Sequence, residues 1–298
     1  MSTANKTAEP KKTSRAGRNL PAAFGMAIVL LGLLAASLAF RPEPFVALIA
    51  IAVLLGLHEL QAAFKSAGID VAVAPLMVGG VGMIVATYVG GGAALLTAFV
   101  LTATAITAWQ LIDGPRQGAL RDMCAGVFSA AYIPLLASFV VLMLDQPRAE
   151  LRIGMFILLA VANDTGGYVA GVLFGKHPMA PRISPKKSWE GFAGSVLFTV
   201  AVGVLGSYHV LELPWTAGHG EAAWRSAAVF GTALGIVAAI ITTIGDLSES
   251  LIKRDLGIKD MSSLIPGHGG VMDRVDSILF FAPFAFLAFG LVVNGYVV

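Results

Sequence analysis

Two polar segments in the second half of an apolar sequence hold residue types that can bind phosphate and divalent cations. The first runs from Asn163 to Tyr168 and places Asp164 inside a long apolar stretch. An ionised aspartate at the centre of a membrane span costs about 2.5–3.5 kcal/mol on insertion scales. Asp164 must therefore face protein, an ion or water. The alternative is a carboxylate that only joins helices through hydrogen bonds to hydroxyls and amides.

The same apolar stretch leads into a loop, Ile183 to Gly191, that contains Ser184, Lys186 and Lys187. Lysine offers a point charge to phosphate oxygens, and a hydroxyl can donate to one. The competing interpretation is that these lysines only anchor a cytoplasmic loop at the membrane surface. The loop by itself does not decide between the two.

The second segment is the long connection from Gly245 to Ser277. Asp246, Glu249 and Lys253 recur at helical spacing, so a helix that continues through them carries all three on one face. Such a face would lie at the membrane boundary. A salt-bridged cap without catalytic function is the simpler alternative.

A glycine turn follows, with His268, Gly269 and Gly270, and then Asp273 and Arg274 at the start of the next apolar run. Glycine turns and helix N-termini present backbone N–H groups to anions. Mg²⁺ takes one or two carboxylates and completes its octahedron with water and substrate phosphates, so Asp246 and Asp273 would suffice as ligands. Taken alone, His268 is more typical of a surface loop.

The composition indicates which elements position these residues. Of the 298 residues, 57% are hydrophobic and 13% charged, against about 45–50% and about 25% in soluble domains. Windows of about 20 apolar residues predict an all-α, polytopic membrane helix bundle. The nine predicted spans are 20–40, 43–61, 71–89, 91–112, 123–144, 152–174, 191–211, 226–246 and 277–297. The third and fourth meet at Gly90 to Gly92, which predicts a tight helical hairpin.

The distribution of basic residues predicts the orientation. With a cytoplasmic N-terminus, sixteen of the 20 Lys and Arg residues fall on the inner side, and the outer side holds only Arg41, Arg148, Arg152 and Arg225. Positive residues accumulate on the cytoplasmic side of membrane proteins, so the active site is expected there. The first span could instead be a signal peptide, but its length favours a retained anchor. The expected location is a bacterial cytoplasmic membrane.

Three regions are predicted along the chain: a disordered basic tail (1–19), a group of about five spans (20–144) and a catalytic region of about four (152–298). The small net charge of +2 argues against a nucleic-acid-binding surface. The single cysteine, Cys124, excludes an intramolecular disulfide. The pairs Gly171 and Gly175, and Gly231 and Gly235, allow close helix packing. Packing within one chain is favoured over a homodimer through the same faces.

The last half of the chain contains three motifs near its C-terminal end: Ser250-Leu251-Ile252-Lys253-Arg254, Lys259-Asp260, and the run from His268 to Asp276. Together they resemble the signature of the phosphatidate cytidylyltransferase family. The segments Asn163 to Tyr168 and Ser184 to Gly191 resemble a second conserved block of that family. The first five spans are similar only in hydropathy and number.

This resemblance implies an enzyme that joins CTP and phosphatidic acid to give CDP-diacylglycerol and pyrophosphate, with Mg²⁺ and a second cation. Asp246, Asp273 and Lys253 are then expected to be catalytic. Asp246 and Asp273 would bind metal, with Asp164 as a less certain third ligand. The residues expected to bind the substrates are Ser184, Lys186, Lys187, Arg254, His268, Gly269, Gly270 and Arg274.

Two other functions fit part of the pattern. An ion-coupled transporter would also place an aspartate such as Asp164 and a glycine-broken helix within the membrane. Against this, the charges concentrate on one side, and no pair of related repeats is evident. A cytidylyltransferase that acts on another lipid phosphate would use the same phosphate and metal centre, so the sequence leaves the lipid open.

Overall fold

The chain folds into a bundle of long apolar helices. The computed structural model describes residues 32, 36–38, 41–114, 116–209, 221–262 and 270–293. The helices are α1 (Pro42–Ser66), α2 (Val73–Ile112), α3 (Ala119–Ala130), α4 (Leu136–Leu142), α5 (Ala149–Phe174), α6 (Trp189–His209), α7 (Glu221–Asp255) and α8 (Met272–Val293). A π-helical turn, Ala131–Leu135, joins α3 to α4, and a 3-10 turn, Met143–Asp145, follows α4.

Seven helical segments in these described ranges are long and apolar enough to cross a membrane, with α3 and α4 counted as one. The expectation of an all-α polytopic membrane protein is therefore confirmed. The first predicted span, 20–40, lies largely outside the described residues, as does the basic tail, 1–19.

The longest helical segment, α2, is a hairpin of two arms. Its backbone leaves helical geometry at Gly91, where φ is 64° and ψ is −154°. A positive φ of this kind strains any residue with a Cβ, so glycine is required at the bend. The two arms pack on each other, because a Cβ at Gly79 would lie 2.3 Å from the side chain of Thr102. The predicted hairpin at Gly90 to Gly92 is confirmed.

Small residues bring α5, α6 and α7 into backbone contact. A Cβ at Gly166 would lie 2.5 Å from the carbonyl oxygen of Gly194, and one at Gly203 would lie 2.2 Å from that of Gly231. Gly235 lies equally close to the backbone of Thr199. Such contacts exclude any larger side chain, because a Cβ cannot approach a carbonyl oxygen this closely. The predicted packing of these glycines within one chain is confirmed for Gly231 and Gly235, and Gly171 likewise packs against α6 at Gly191.

The one departure from an all-helical chain in the described ranges is a small antiparallel hairpin of β1 (Pro178–Ala180) and β2 (Ser184–Ser188). The sequence indicated only a loop at this position. Glu190 closes the base of the hairpin, since its carboxylate accepts hydrogen bonds from the backbone N–H groups of Lys176 and His177. The Arg254 guanidinium donates to the Ile183 carbonyl in the turn, at 3.2 Å. The hairpin is thus held at both ends.

Loops that the topology predicts on one side of the membrane do cluster together. Arg116, between α2 and α3, pairs with Asp70, between α1 and α2, at 3.0 Å and with Asp122 at 3.1 Å. Hydrogen bonding to Asp70 raises the pKa of Arg116 above its usual range. At the other end of the bundle the α2 bend lies beside the turn after α4 and the C-terminal part of α8, where Gly91, Gln146 and Gly290 line one cavity.

Two hydrophobic cores meet along α8. One core lies among the four helices α1, α2, α3 and α4 and includes Leu57 and Ile106. Helix α8 contributes Met272 and Leu279 to it. The other joins α5, α7 and α8, with the rings of Phe156 and Phe281 stacked at 5.5 Å. Helix α8 therefore packs against both groups of helices, and its N-terminus is fixed relative to each.

Candidate active site

One polar cluster lies where the end of α7 meets the start of α8. The Lys253 ammonium donates to Glu249 Oε2 at 2.6 Å and to Asp273 Oδ1 at 2.7 Å. The other carboxylate oxygen of Asp273 accepts the Gly270 N–H at 2.9 Å. The Glu249 to Lys253 bond confirms that α7 continues beyond the predicted eighth span and carries these residues on one face.

A second cluster lies around a cavity of about 490 Å³ between α5, α6, α7 and the hairpin. The Lys187 ammonium contacts Asp246 Oδ2 at 2.5 Å, across the cavity wall formed by β2 and α7. Asp164 also lines this cavity, and its Oδ1 accepts a hydrogen bond from the Asn163 amide at 3.1 Å. Gly167 and Gly171 also line the cavity, and the absence of side chains there lets α5 approach α6, since a Cβ at Gly167 would lie 2.7 Å from the Ser195 hydroxyl.

Asp276 connects the two clusters. It is 7% exposed, and its carboxylate interacts electrostatically with both Glu249 and Asp246. A Cβ at Gly245 would lie 2.8 Å from the Asp276 carbonyl oxygen, so glycine at 245 permits α7 and α8 to approach at this level. Asp246 and Asp273, the predicted metal ligands, are therefore linked through Asp276 and Glu249. These four carboxylates and Asp164 are called the acidic strip below.

The side chains of the strip can be compared with the ligands that a divalent cation needs. Within the described ranges no three His, Cys, Asp or Glu side chains form a ready ligand group. One buried acceptor beside the strip, Asn163 Oδ1, nevertheless lacks a hydrogen-bond partner in the described part of the chain, whereas Glu249 shares a hydrogen bond with the Asp276 carboxyl. A buried acceptor without a donor is costly, and a cation or its water would satisfy it. The donor set fits Mg²⁺, which needs few carboxylates.

The remaining predicted site residues fall into three groups. Lys186 lines the cavity with Lys187, and Ser184 lies at the start of β2. Arg274 lies within electrostatic reach of Asp164, whereas Arg254 bonds the hairpin turn. Gly270 contacts Asp273 as described above, but His268 and Gly269 lie outside the described residues. The functional role of each residue stays a prediction.

Two residues near the strip were absent from the sequence prediction. Glu59 of α1 is 1% exposed and accepts hydrogen bonds from the segment that leads into α8. It is an acid within an apolar span, the same signal that selected Asp164. Tyr132 lies in the π-helical turn, and its buried hydroxyl has no partner in the described ranges. No sequence signal identifies Tyr132, because its position depends on that turn.

The fold defines a class: an integral, multi-pass membrane protein with charged side chains clustered around a cavity between its helices. Comparison with known proteins agrees. The model of the cytidylyltransferase family matches residues 22–292, and the chain belongs to this family. The expectation drawn from the resemblance is confirmed at this level.

Three relatives indicate the range of the similarity. A phosphatidate cytidylyltransferase of Mycobacterium leprae is 40% identical over 285 residues, which cover 90% of this chain and 87% of the relative. One of Synechocystis is 30% identical over 269 residues, covering 81% and 87%. Phosphatidate cytidylyltransferase 5, chloroplastic, of Arabidopsis thaliana is 35% identical over 144 residues, covering 47% and 33%.

Proposed function

We propose that this chain joins CTP and phosphatidic acid into CDP-diacylglycerol and releases pyrophosphate. The observation that carries the proposal is the position of Lys187, Asp246 and Asp164 around one cavity in a membrane-embedded bundle. Relatives named phosphatidate cytidylyltransferase align with nearly the whole chain. A cavity of about 490 Å³ lies within the usual range for small-molecule sites, about 300–1,000 Å³.

The reaction needs little proton chemistry. The phosphate of phosphatidic acid is a phosphomonoester, which has a second pKa of about 6 and is mostly a dianion at neutral pH. Its oxygen attacks the α-phosphorus of CTP, and the bond from that phosphorus to the bridging oxygen breaks, so that pyrophosphate leaves with the electron pair. The barrier is the repulsion between two anions, and positioned positive charge lowers it.

The basic residues are placed for this task. Lys187 projects from β2 into the cavity, and Lys253 projects from α7 into the acidic strip. Each lysine is held by carboxylates in this structure. We infer that substrate phosphates take over part of these contacts and that Lys186 and Arg274 add charge at the rim. Ser184 and the turn at His268 to Gly270 are proposed to donate further hydrogen bonds.

We infer that Asp246 and Asp273 would hold Mg²⁺, with Asp164 as a less certain third ligand. When bound, the cation neutralises triphosphate oxygens and orients them for in-line displacement. The Asn163 side-chain oxygen, which has no partner among the described residues, and the close approach of the Glu249 and Asp276 carboxyl groups support cation or water binding along the strip. A second cation is proposed on the same grounds, without an assigned identity.

We further infer nine crossings with a cytoplasmic N-terminus in a bacterial cytoplasmic membrane. The α2 hairpin supplies two crossings, and the span 20–40 would supply the first. Loops that this topology puts inside contact each other, as in the Arg116 to Asp70 and Lys187 to Asp246 pairs. CTP would reach the cavity from the cytosol, while acyl chains enter between helices. A homodimer through Gly171 or Gly231 would have to displace contacts already made within the chain.

The test is release of pyrophosphate from purified protein supplied with CTP and phosphatidic acid. Turnover is expected only when both substrates and Mg²⁺ are present. Replacing phosphatidic acid by other lipid phosphates, and CTP by other nucleotides, determines whether a different substrate serves better. Correctly folded protein with no turnover on any lipid phosphate would contradict the proposal and would favour the alternative function, an ion-coupled transporter.

A further inference from the structure

The start of α8 is held by an acidic residue from the opposite end of the sequence. Glu59 lies on α1, inside the core, with 1% of its surface exposed. Its Oε1 accepts the Val271 N–H and the Ser262 hydroxyl, at 2.8 and 2.7 Å, and its Oε2 accepts the Met272 N–H at 2.8 Å. A buried carboxylate is tolerated only when such donors satisfy it. Glu59 is therefore fully engaged with the segment before α8.

The geometry is that of a helix cap supplied from a distant element. Helix α8 begins at Met272, so the Val271 and Met272 N–H groups are among the donors that the helix itself cannot satisfy. A negative charge at this position also interacts favourably with the helix dipole. Glu59 thus fixes both the origin and the direction of α8.

The contact continues directly into the site. Gly270, the next residue back along the chain, donates its N–H to Asp273 Oδ2, and Asp273 in turn holds Lys253. A Cβ at Gly270 would lie 2.4 Å from Glu59 Oε2. The carboxylate therefore occupies the space that a side chain at position 270 would need, which explains the glycine.

We propose that Glu59 is a positioning residue for the cytidylyl transfer. It holds the segment 270–273 so that Asp273 and Lys253 keep their places, without contacting the substrates itself. The inference rests on the proposed function, because Asp273 and Lys253 are assigned to catalysis there. It adds a required contact between α1 and the catalytic end of the chain.

Glu59→Gln tests the proposal, because it keeps the shape and removes the charge. The NH₂ group of the glutamine amide is itself a donor, so it cannot accept a hydrogen bond from the Val271 or Met272 N–H that it faces. The expected result is a fall in kcat of about tenfold or more, the effect of a lost charge-assisted hydrogen bond. Hydrogen–deuterium exchange of the Val271 and Met272 amides should become faster. The melting temperature should also fall, because part of a buried hydrogen-bond network is lost, so kcat is measured well below the melting temperature of the variant.

Leu60→Ala is the matched control. Leu60 is the adjacent residue of α1 and is fully buried in the apolar core, and its side chain has no atom that can accept the hydrogen bonds of the α8 cap. This variant should lower the melting temperature and keep kcat when assayed well below it. If Glu59→Gln behaves in the same way as Leu60→Ala, Glu59 has only a structural role and the proposal is wrong.

A double substitution tests the contact itself. Gly270→Ala should inactivate because its methyl group meets the Glu59 carboxylate. Glu59→Asp withdraws that carboxylate by one methylene, so the double variant should be more active than Gly270→Ala alone. If the losses of activity of the two single variants simply multiply in the double variant, the two positions act independently and the proposal is wrong.

The two hypotheses fail in different ways. If the wild-type protein releases no pyrophosphate, the proposed function fails, and the exchange rates still report whether Glu59 positions the segment. If the wild type turns over and Glu59→Gln matches it in kcat and in amide exchange, only the positioning role is refuted.

Discussion

Replacing Lys187 by glutamine is the most direct test of the cavity as the site of reaction. The Lys187 ammonium lies 2.5 Å from Asp246 Oδ2, with 25% of the lysine side chain and 39% of the aspartate side chain exposed. Because Asp246 is more than one third exposed, solvent screens the pair, and its contribution to stability is about 0–1 kcal/mol. Lys187→Gln should therefore change the melting temperature by only a few degrees.

The effect on activity should be much larger. A hydrogen bond to a charged group contributes about 1.5–3 kcal/mol, and about 1.4 kcal/mol corresponds to a tenfold change in rate. If Lys187 binds a phosphate during transfer, kcat/KM should fall by about 10- to 150-fold. Lys187→Arg keeps the charge and should retain part of the activity.

The assay is pyrophosphate release at CTP concentrations well below KM, with phosphatidic acid in mixed micelles. Lys65→Gln is the control, since it removes the same charge from the exposed C-terminal end of α1. A Lys187→Gln enzyme within twofold of the wild type would refute the reasoning. A loss of activity that only follows a large drop in melting temperature would also count against it.

Three further outcomes are expected. Asp246→Asn and Asp273→Asn should each abolish turnover. Only Asp273→Asn should also lower the melting temperature, because it weakens the largely buried pair with Lys253; activity and thermal unfolding measured together check this. Gly194→Ala should destabilise by about 1–3 kcal/mol or more, since its methyl would lie 2.6 Å from a carbonyl oxygen of α5, whereas Gly154→Ala, with open space around it, should not; melting temperatures compare them. Chelation of divalent cations should stop turnover without unfolding the helices, as circular dichroism with an activity assay would report.

The helices were predictable because lipid imposes a length and a composition on every span. The predicted span 152–174 corresponds to α5, and the sequence also indicated that α7 continues through Lys253. Local chemistry equally identified Lys187 and Asp246 as candidates. Their pairing was not predictable, since it depends on the path of the β-hairpin relative to α7, and nothing in the local sequence records that path.

Other features depended on tertiary structure in different ways. The bond from Arg254 to the hairpin turn was not expected, because arginine near glycines and acids is equally typical of phosphate binding. Glu59 did leave a signal, as an acid in an apolar span, but its partners lie more than 200 residues later in the chain. Tyr132 left none, since a π-helical turn redirects its side chain and the sequence around Pro134 does not specify that turn.

The double packing of α8 has a practical consequence for handling this protein. A detergent that loosened only the helices α1 to α4 would leave most of the helical content intact, yet it would release one side of the helix that begins beside Asp273. Catalytic competence would then be lost before any spectroscopic sign of melting. Solubilisation conditions are therefore better chosen by turnover than by helicity.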